Sequence, residues 1–209
     1  MPQAVFSLPY FGPVSTYVAL IQYDQILIEA AENYQKQTHR NRQYIYGANG
    51  KLMLNIPVKR SHSHERLTYR QSQIENEFDW QNLHFKSLET AYRTSPYFEF
   101  YEADIEPLFK EKFDSLFDFN LKCFNTIIEL LNIDLNYAFT EKFQEKYQEI
   151  NDHRNLIQAK GVDYSFGKAY HQVFENKHGF LKDLSILDLL FNIGPESTAY
   201  LRSIDLFQP

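Results

Sequence analysis

The densest group of directional polar side chains in this chain is Lys36, His39, Arg40, Asn41 and Arg42. A guanidinium is a planar, permanently charged fork. Arg40 and Arg42 together suit bidentate capture of a carboxylate, phosphate or sulfate, with Lys36 adding charge and His39 and Asn41 orienting the ligand. The plainer reading is a solvated loop whose arginines pair with Glu32 or Asp24. His84 is the candidate general base, since imidazole titrates near neutral pH. The alternative is a core histidine, because His84 shares a helical face with Trp80, Leu88 and Ala91. Tyr10, Tyr92 and Tyr97 either line an aromatic pocket suited to sugar or aliphatic contact, or only pack. His171 and Gln172 complete the ligand-facing set with Asp188. Asp188 also stands three residues after Ser185, the spacing of a helix capping box, which explains it without chemistry.

Other chemistries find little footing. No Gly-x-Gly-x-x-Gly or Walker-type loop is present, so conventional dinucleotide or P-loop binding has no support. Cys123 lies between Leu121 and Phe124 and reads as a small packed hydrophobe. His62 and His64 sit on a Ser-rich loop, a spacing for adventitious metal; no His/Cys set has structural-zinc spacing. The sequence assigns no metal, no cofactor and no oligomeric state.

These residues need elements to hold them. Residues 3–8 read as a buried strand, broken by Pro9, Gly12 and Pro13, then a short helix over 14–22 and a second strand over 25–30. That is a βαβ-like opening, which favours a parallel pair with a right-handed crossover. Leu8 to Pro13 reads as a loop at the carboxyl end of the first strand, where α/β sheets bind ligands and a helix N-terminus suits phosphate, or as a rigid turn joining strand to helix. Residues 43–46, the turn Gly47-Ala48-Asn49-Gly50 and residues 51–58 form a hairpin. A further strand is expected over 67–74. Asp79 is placed to cap a helix from Trp80 to about Thr94, and Ser95-Pro96 to start the next. Phe109, Phe113, Leu116, Phe117, Leu121, Phe124, Ile127, Ile128 and Leu131 recur at helical spacing. A strand is expected near 137–140, a charged helix near 141–148, and a short helix over 186–192 ended by Gly194-Pro195. The fold class expected is α/β: a small mixed or parallel sheet with a βαβ-like start, flanked by helices, with a Phe-rich helical region over 96–132. One domain over 1–209 accounts for it.

Composition narrows the function classes. The chain has 209 residues, with 15 Tyr and 18 Phe against 2 Met, so its core is aromatic and many phenols need partners. The net charge of -6 argues against broad nucleic-acid binding, though not against a basic pocket for a small anion. A lone cysteine excludes an intrachain disulfide and fits a reducing compartment. No secretory signal and no membrane span is visible, so a cytoplasmic location is expected.

Four blocks, in order, resemble the WbqC-like family. They are Leu8-Pro9-Tyr10-Phe11-Gly12-Pro13; Asn33 to Arg42; Trp80, His84, Ala91-Tyr92 and Ser95-Pro96-Tyr97-Phe98; and Tyr170 to Phe174 with Leu184 to Pro195. The resemblance spans residues 3–200. It implies a bacterial protein associated with surface-polysaccharide or O-antigen precursor biosynthesis, and it strengthens the case that the shared polar residues form a site. Two departures stand out: Leu8 replaces the family's usual Gln before Pro, and His39 and Arg40 precede Asn41-Arg42-Gln43 where a Trp is common. If the family's Gln and Trp contact substrate, these changes imply a different ligand or altered chemistry. The function expected is a small-molecule transferase in which Arg40 and Arg42 hold an anionic or sugar-like substrate and His84 acts as base. The alternatives are a non-catalytic glycan- or nucleotide-ligand-binding accessory protein and a structural partner docking through the Phe-rich helix at 109–131.

Overall fold

The structure is a computed structural model that describes residues 1–60, 67–159 and 168–204. The His62 and His64 pair lies outside the described residues. Four parallel strands make the central sheet: β1 (Ala4–Ser7), β2 (Gln25–Glu29), β5 (Asn136–Phe139) and β6 (Asn151–Asp152), in the order β5-β2-β1-β6. Their runs of Val5, Phe6, Ile26, Leu27 and Ile28 suit strands covered on both faces. β1 and β2 pair from Ala4 opposite Ile26 to Ser7 opposite Glu29, and the crossover between them is α1 (Val14–Leu20), buried throughout. Its first turn is fixed by Asp183, whose carboxylate accepts from the Ser15 backbone N–H at 2.8 Å and the Ser15 hydroxyl at 2.9 Å. The βαβ opening is therefore present as expected.

A hairpin lies apart from that sheet, β3 (Arg42–Gly47) with β4 (Gly50–Asn55), closed by Ala48 and Asn49. α2 (Trp80–Tyr92), α3 (Phe98–Lys110) and α4 (Leu116–Leu130) follow. The Phe-rich stretch is thus two helices, and its apolar face is spent on the core: Phe109, Leu116, Phe117, Phe124 and Ile127 are all buried. That face is not open to a partner.

Three expected elements differ. Residues 67–74 hold a single tight helical turn, Tyr69–Gln71, because Tyr69 points inward and donates to the Leu8 carbonyl at 2.8 Å while Thr68 and Gln71 cap one another. Residues 141–148 form no helix. The carbonyls of Gln144 and Glu145, which a helix would bond internally, accept from the Arg154 guanidinium at 2.7 and 3.1 Å. Ser95 closes α2 rather than opening α3, its hydroxyl donating to the Tyr92 carbonyl at 2.7 Å, and Tyr97 takes the cap position.

The last helices are α5 (Glu175–His178), α6 (Ile186–Ile193) and α7 (Ser197–Arg202). Gly194 ends α6 at φ +55, a region that disfavours side chains, and a Cβ there would lie 2.5 Å from the Tyr97 ring. Gly194→Ala is expected to lose at least about 3 kcal/mol, strain plus overpacking. A urea titration checks it; an unchanged midpoint would show that Tyr97 yields freely.

Candidate functional site

Residues 31–41 form no strand or helix, yet they are tied down at both ends. The Tyr34 N–H donates to the Leu67 carbonyl at 2.9 Å, and the His39 N–H to the Ile157 carbonyl at 2.8 Å. Gln37 sits at φ 63, and the Thr38 hydroxyl donates to the Gln35 carbonyl at 3.0 Å, which turns the chain between those anchors. The segment is a wall with a cleft on each side.

The first cleft, about 550 Å³, is lined by Tyr34, Lys36, Gln37 and Asn41 from the wall, by Arg42 where the wall runs into β3, and by Asn55, Lys59 and Arg60 from beyond. Among the described residues that line it are four cationic side chains and no carboxylate. Among the described residues none of these four cations has an ion-pair partner. Arg42 Nε donates to Asn55 Oδ1 at 3.3 Å, and Asn41 Nδ2 donates to the same oxygen at 3.0 Å. Burial pushes the Tyr34 phenol up to about 12 against the pull of the Arg40 and Arg42 guanidiniums. Tyr34 is thus within electrostatic reach of both.

The second cleft, about 450 Å³, opens beyond the carboxyl ends of β1, β2 and β6. β1 is joined to β2 on one side, while β6 arrives on its other side only after β5, so the strand order reverses there. Such a reversal is where open parallel sheets leave a crevice for ligands. Arg40 lines it from the wall, 1% exposed, with Nε donating to Glu32 Oε1 at 3.0 Å and Nη2 facing Glu32 Oε2 at 2.5 Å. Ser7, the last residue of β1, donates to Glu32 Oε2 at 3.1 Å. Burial raises the Glu32 carboxyl, with Arg40 opposing. On the facing side Arg154 pairs with Glu29 at 3.1 Å and Asp152 at 2.6 Å, and its hydrogen bonds hold Asp152 below the usual carboxylate range.

The structure therefore separates residues that the sequence grouped. Arg40 faces one cleft and Arg42 the other, so they do not clamp a single anion; Glu32 already satisfies Arg40. Lys36, Asn41 and Arg42 share the basic cleft. His39 lines neither: its Nδ1 meets the Arg42 carbonyl at 3.3 Å, its ring meets Tyr44 edge-on, and burial lowers it to about 4. His84 sits in the core, its Nδ1 2.9 Å from the Tyr10 hydroxyl and its ring edge-on to Trp80. Burial lowers it to about 4 as well, so it is neutral at pH 7, and it lines neither cleft.

Asp188 is no capping-box partner. Ser185 Oγ accepts from the Leu187 N–H, but the Asp188 carboxylate turns inward, fully buried. It accepts from Tyr92 at 2.8 Å, Tyr170 at 2.5 Å and Gln172 at 2.8 Å. These three donors draw its pKa down, but burial is the larger influence and raises it. Tyr97 packs at Gly194, and His171 is exposed and paired with Glu175 at 2.8 Å.

Sequence reasoning missed Tyr34, Gln37, Asn55, Lys59 and Arg60 in the basic cleft, and Glu32, Asp152 and Arg154 in the other. The adjacent Lys59 and Arg60 were a visible signal. Arg154 lay in a stretch without period and gave none. Among the described residues no group of three or more His, Cys, Asp or Glu is placed to hold a metal ion, and no helix is long and apolar enough to cross a membrane.

This is an α/β protein with a parallel sheet and two polar clefts sharing one wall. The chain matches the WbqC-like protein family over residues 8–160 and belongs to that family. It is 27% identical over 218 aligned residues, 91% of this chain and 93% of the relative, to the uncharacterized protein Rv1507c of Mycobacterium tuberculosis. No solved structure matches it.

Proposed function

We propose that this protein is a small-molecule transferase that holds a phosphorylated substrate in the basic cleft, acting in the cytoplasm on precursors of bacterial surface polysaccharide. One observation carries the reading: Lys36, Arg42, Lys59 and Arg60 converge on a cleft that, among the described residues, no carboxylate lines, in a chain whose net charge is -6. An isolated cluster of like charges costs folding energy, so it calls for a counter-charge from a ligand. Lysine ammonium and arginine fork both suit phosphate oxygens, and Gln37, Asn41 and Asn55 offer amides to hydroxyls. The polysaccharide setting is what family membership suggests.

A second reading, ligand binding without turnover, draws support from His84, since the histidine best suited to act as base is in the core rather than the cleft.

The test is calorimetric titration with UDP-N-acetylglucosamine and with pyrophosphate, on the wild type and on a Lys59→Ala/Arg60→Ala double variant. Binding is expected to weaken with added salt and to be about tenfold or more weaker in the variant. Equal binding by both proteins would remove the basic cleft from substrate capture. Binding with no product on incubation with sugar acceptors would favour the second reading.

A further inference from the structure

We propose that the other cleft, beyond the carboxyl ends of β1, β2 and β6, is a binding site for a neutral polyhydroxylated ring, a saccharide. The proposal does not depend on the basic cleft being a phosphate site. Charge comes first. Both guanidiniums lining the cleft are already neutralised, Arg40 by Glu32, and Arg154 by Glu29 and Asp152. Among the described residues an anion therefore gains no free cation there, and it would face three carboxylates against two guanidiniums.

What remains at the mouth is uncharged and amphoteric. Gln35, Asn155 and Gln158 bring three carboxamides, each with donors and an acceptor. Gln158 Nε2 donates to Gln35 Oε1 at 3.3 Å, so the two carboxamides are adjacent and each keeps a polar atom for a ligand, Gln158 Oε1 as acceptor and Gln35 Nε2 as donor. A sugar hydroxyl also donates and accepts, so vicinal hydroxyls match that pair as phosphate cannot. Phe143 supplies the apolar element. The residue is 54% exposed, and the Arg154 guanidinium lies 5.3 Å from its ring centroid. A ring held in place by a guanidinium, with much of its surface open, is a platform for the C–H face of a pyranose. The cleft's 450 Å³ falls in the range of small-ligand sites.

The experiment is a heteronuclear NMR titration of the full chain with methyl glucoside, methyl galactoside and methyl N-acetylglucosaminide. Shifts are expected in the side-chain amides of Gln35, Asn155 and Gln158, saturating at millimolar ligand. Phe143→Ala should weaken binding about fivefold or more, the loss of one stacking contact. Gln158→Ala, also a surface change, should do the same. Lys59→Ala/Arg60→Ala should leave glycoside binding unchanged, which separates this site from the basic cleft. No amide shift with any of the three glycosides would overturn the proposal, as would shifts that survive both Phe143→Ala and Gln158→Ala.

Discussion

Asp188→Ala should lower the stability of this protein by about 4 kcal/mol, the cost of orphaning several buried donors. The carboxylate is fully buried and gathers Tyr92 from α2, Tyr170 and Gln172 from the segment before α5, and its own helix α6. Tyr92 is committed further, since its oxygen accepts from the Tyr46 backbone N–H at 3.0 Å. Gln172 extends the hold, donating to the Leu181 carbonyl at 3.0 Å and accepting from the Leu181 N–H at 2.8 Å. Removing one carboxylate thus leaves two phenols without acceptors where water does not reach, and takes one of the acceptors of the Gln172 amide. Some of that loss is offset, because the carboxyl is itself destabilised by burial. Asp188→Asn keeps the shape but turns a donor toward other donors, so it should fall between Ala and wild type. Urea unfolding midpoints check the order. A loss below about 1 kcal/mol for Ala would mean the donors find other partners.

Acid should destabilise the protein in part through its buried histidines His39, His84 and His153, all lowered by burial. His39 and His84 each fall from 6.5 to about 4 on folding, so the native state binds fewer protons than the unfolded chain between those values. Their stabilisation is complete above pH 6.5 and is lost as pH falls through about 4. At about 1.4 kcal/mol per pH unit, each histidine contributes about 3 kcal/mol. Glu32 and Asp188 act in the opposite sense. Both have raised folded pKa values, so their contribution is present at low pH and lost as pH rises through those values. They oppose the histidines on the acid limb. His84→Gln keeps an acceptor for Tyr10 and should lessen the fall in stability between pH 7 and pH 4, read from urea midpoints. An acid limb as steep as wild type would place the titration elsewhere.

Much of the fold was legible because local signals agreed with global ones. Pro9, Gly12 and Pro13 between two apolar runs announced the crossover, and Gly47 and Gly50 announced the hairpin. The charged run at 141–148 misled because its backbone partner, Arg154, comes from an element that periodicity does not reveal. The clefts were harder. Arg40 and Arg42 are two residues apart in sequence but face opposite sides of one wall, and only the ties at Leu67 and Ile157 decide that. Asp188 had the spacing of a cap, and nothing local says that Tyr92, nearly a hundred residues earlier, will claim it instead. Tertiary partners settled each case where sequence left two readings.

The pairing of β1 with β6 sets Ala4 opposite Asn151, a separation of 147 residues (151 − 4). On a ribosome adding roughly 5 to 20 residues per second, β1 waits about 7 to 30 s for that neighbour. α1 and β2 are made early and cover one flank, but the other flank of the strand stays unpaired throughout, presenting bare N–H and C=O groups. Such an edge is a template for any extended chain nearby. Synthesis rate and the crowding of polysomes therefore bear on the yield of this protein, and β1 is where co-translational aggregation would begin.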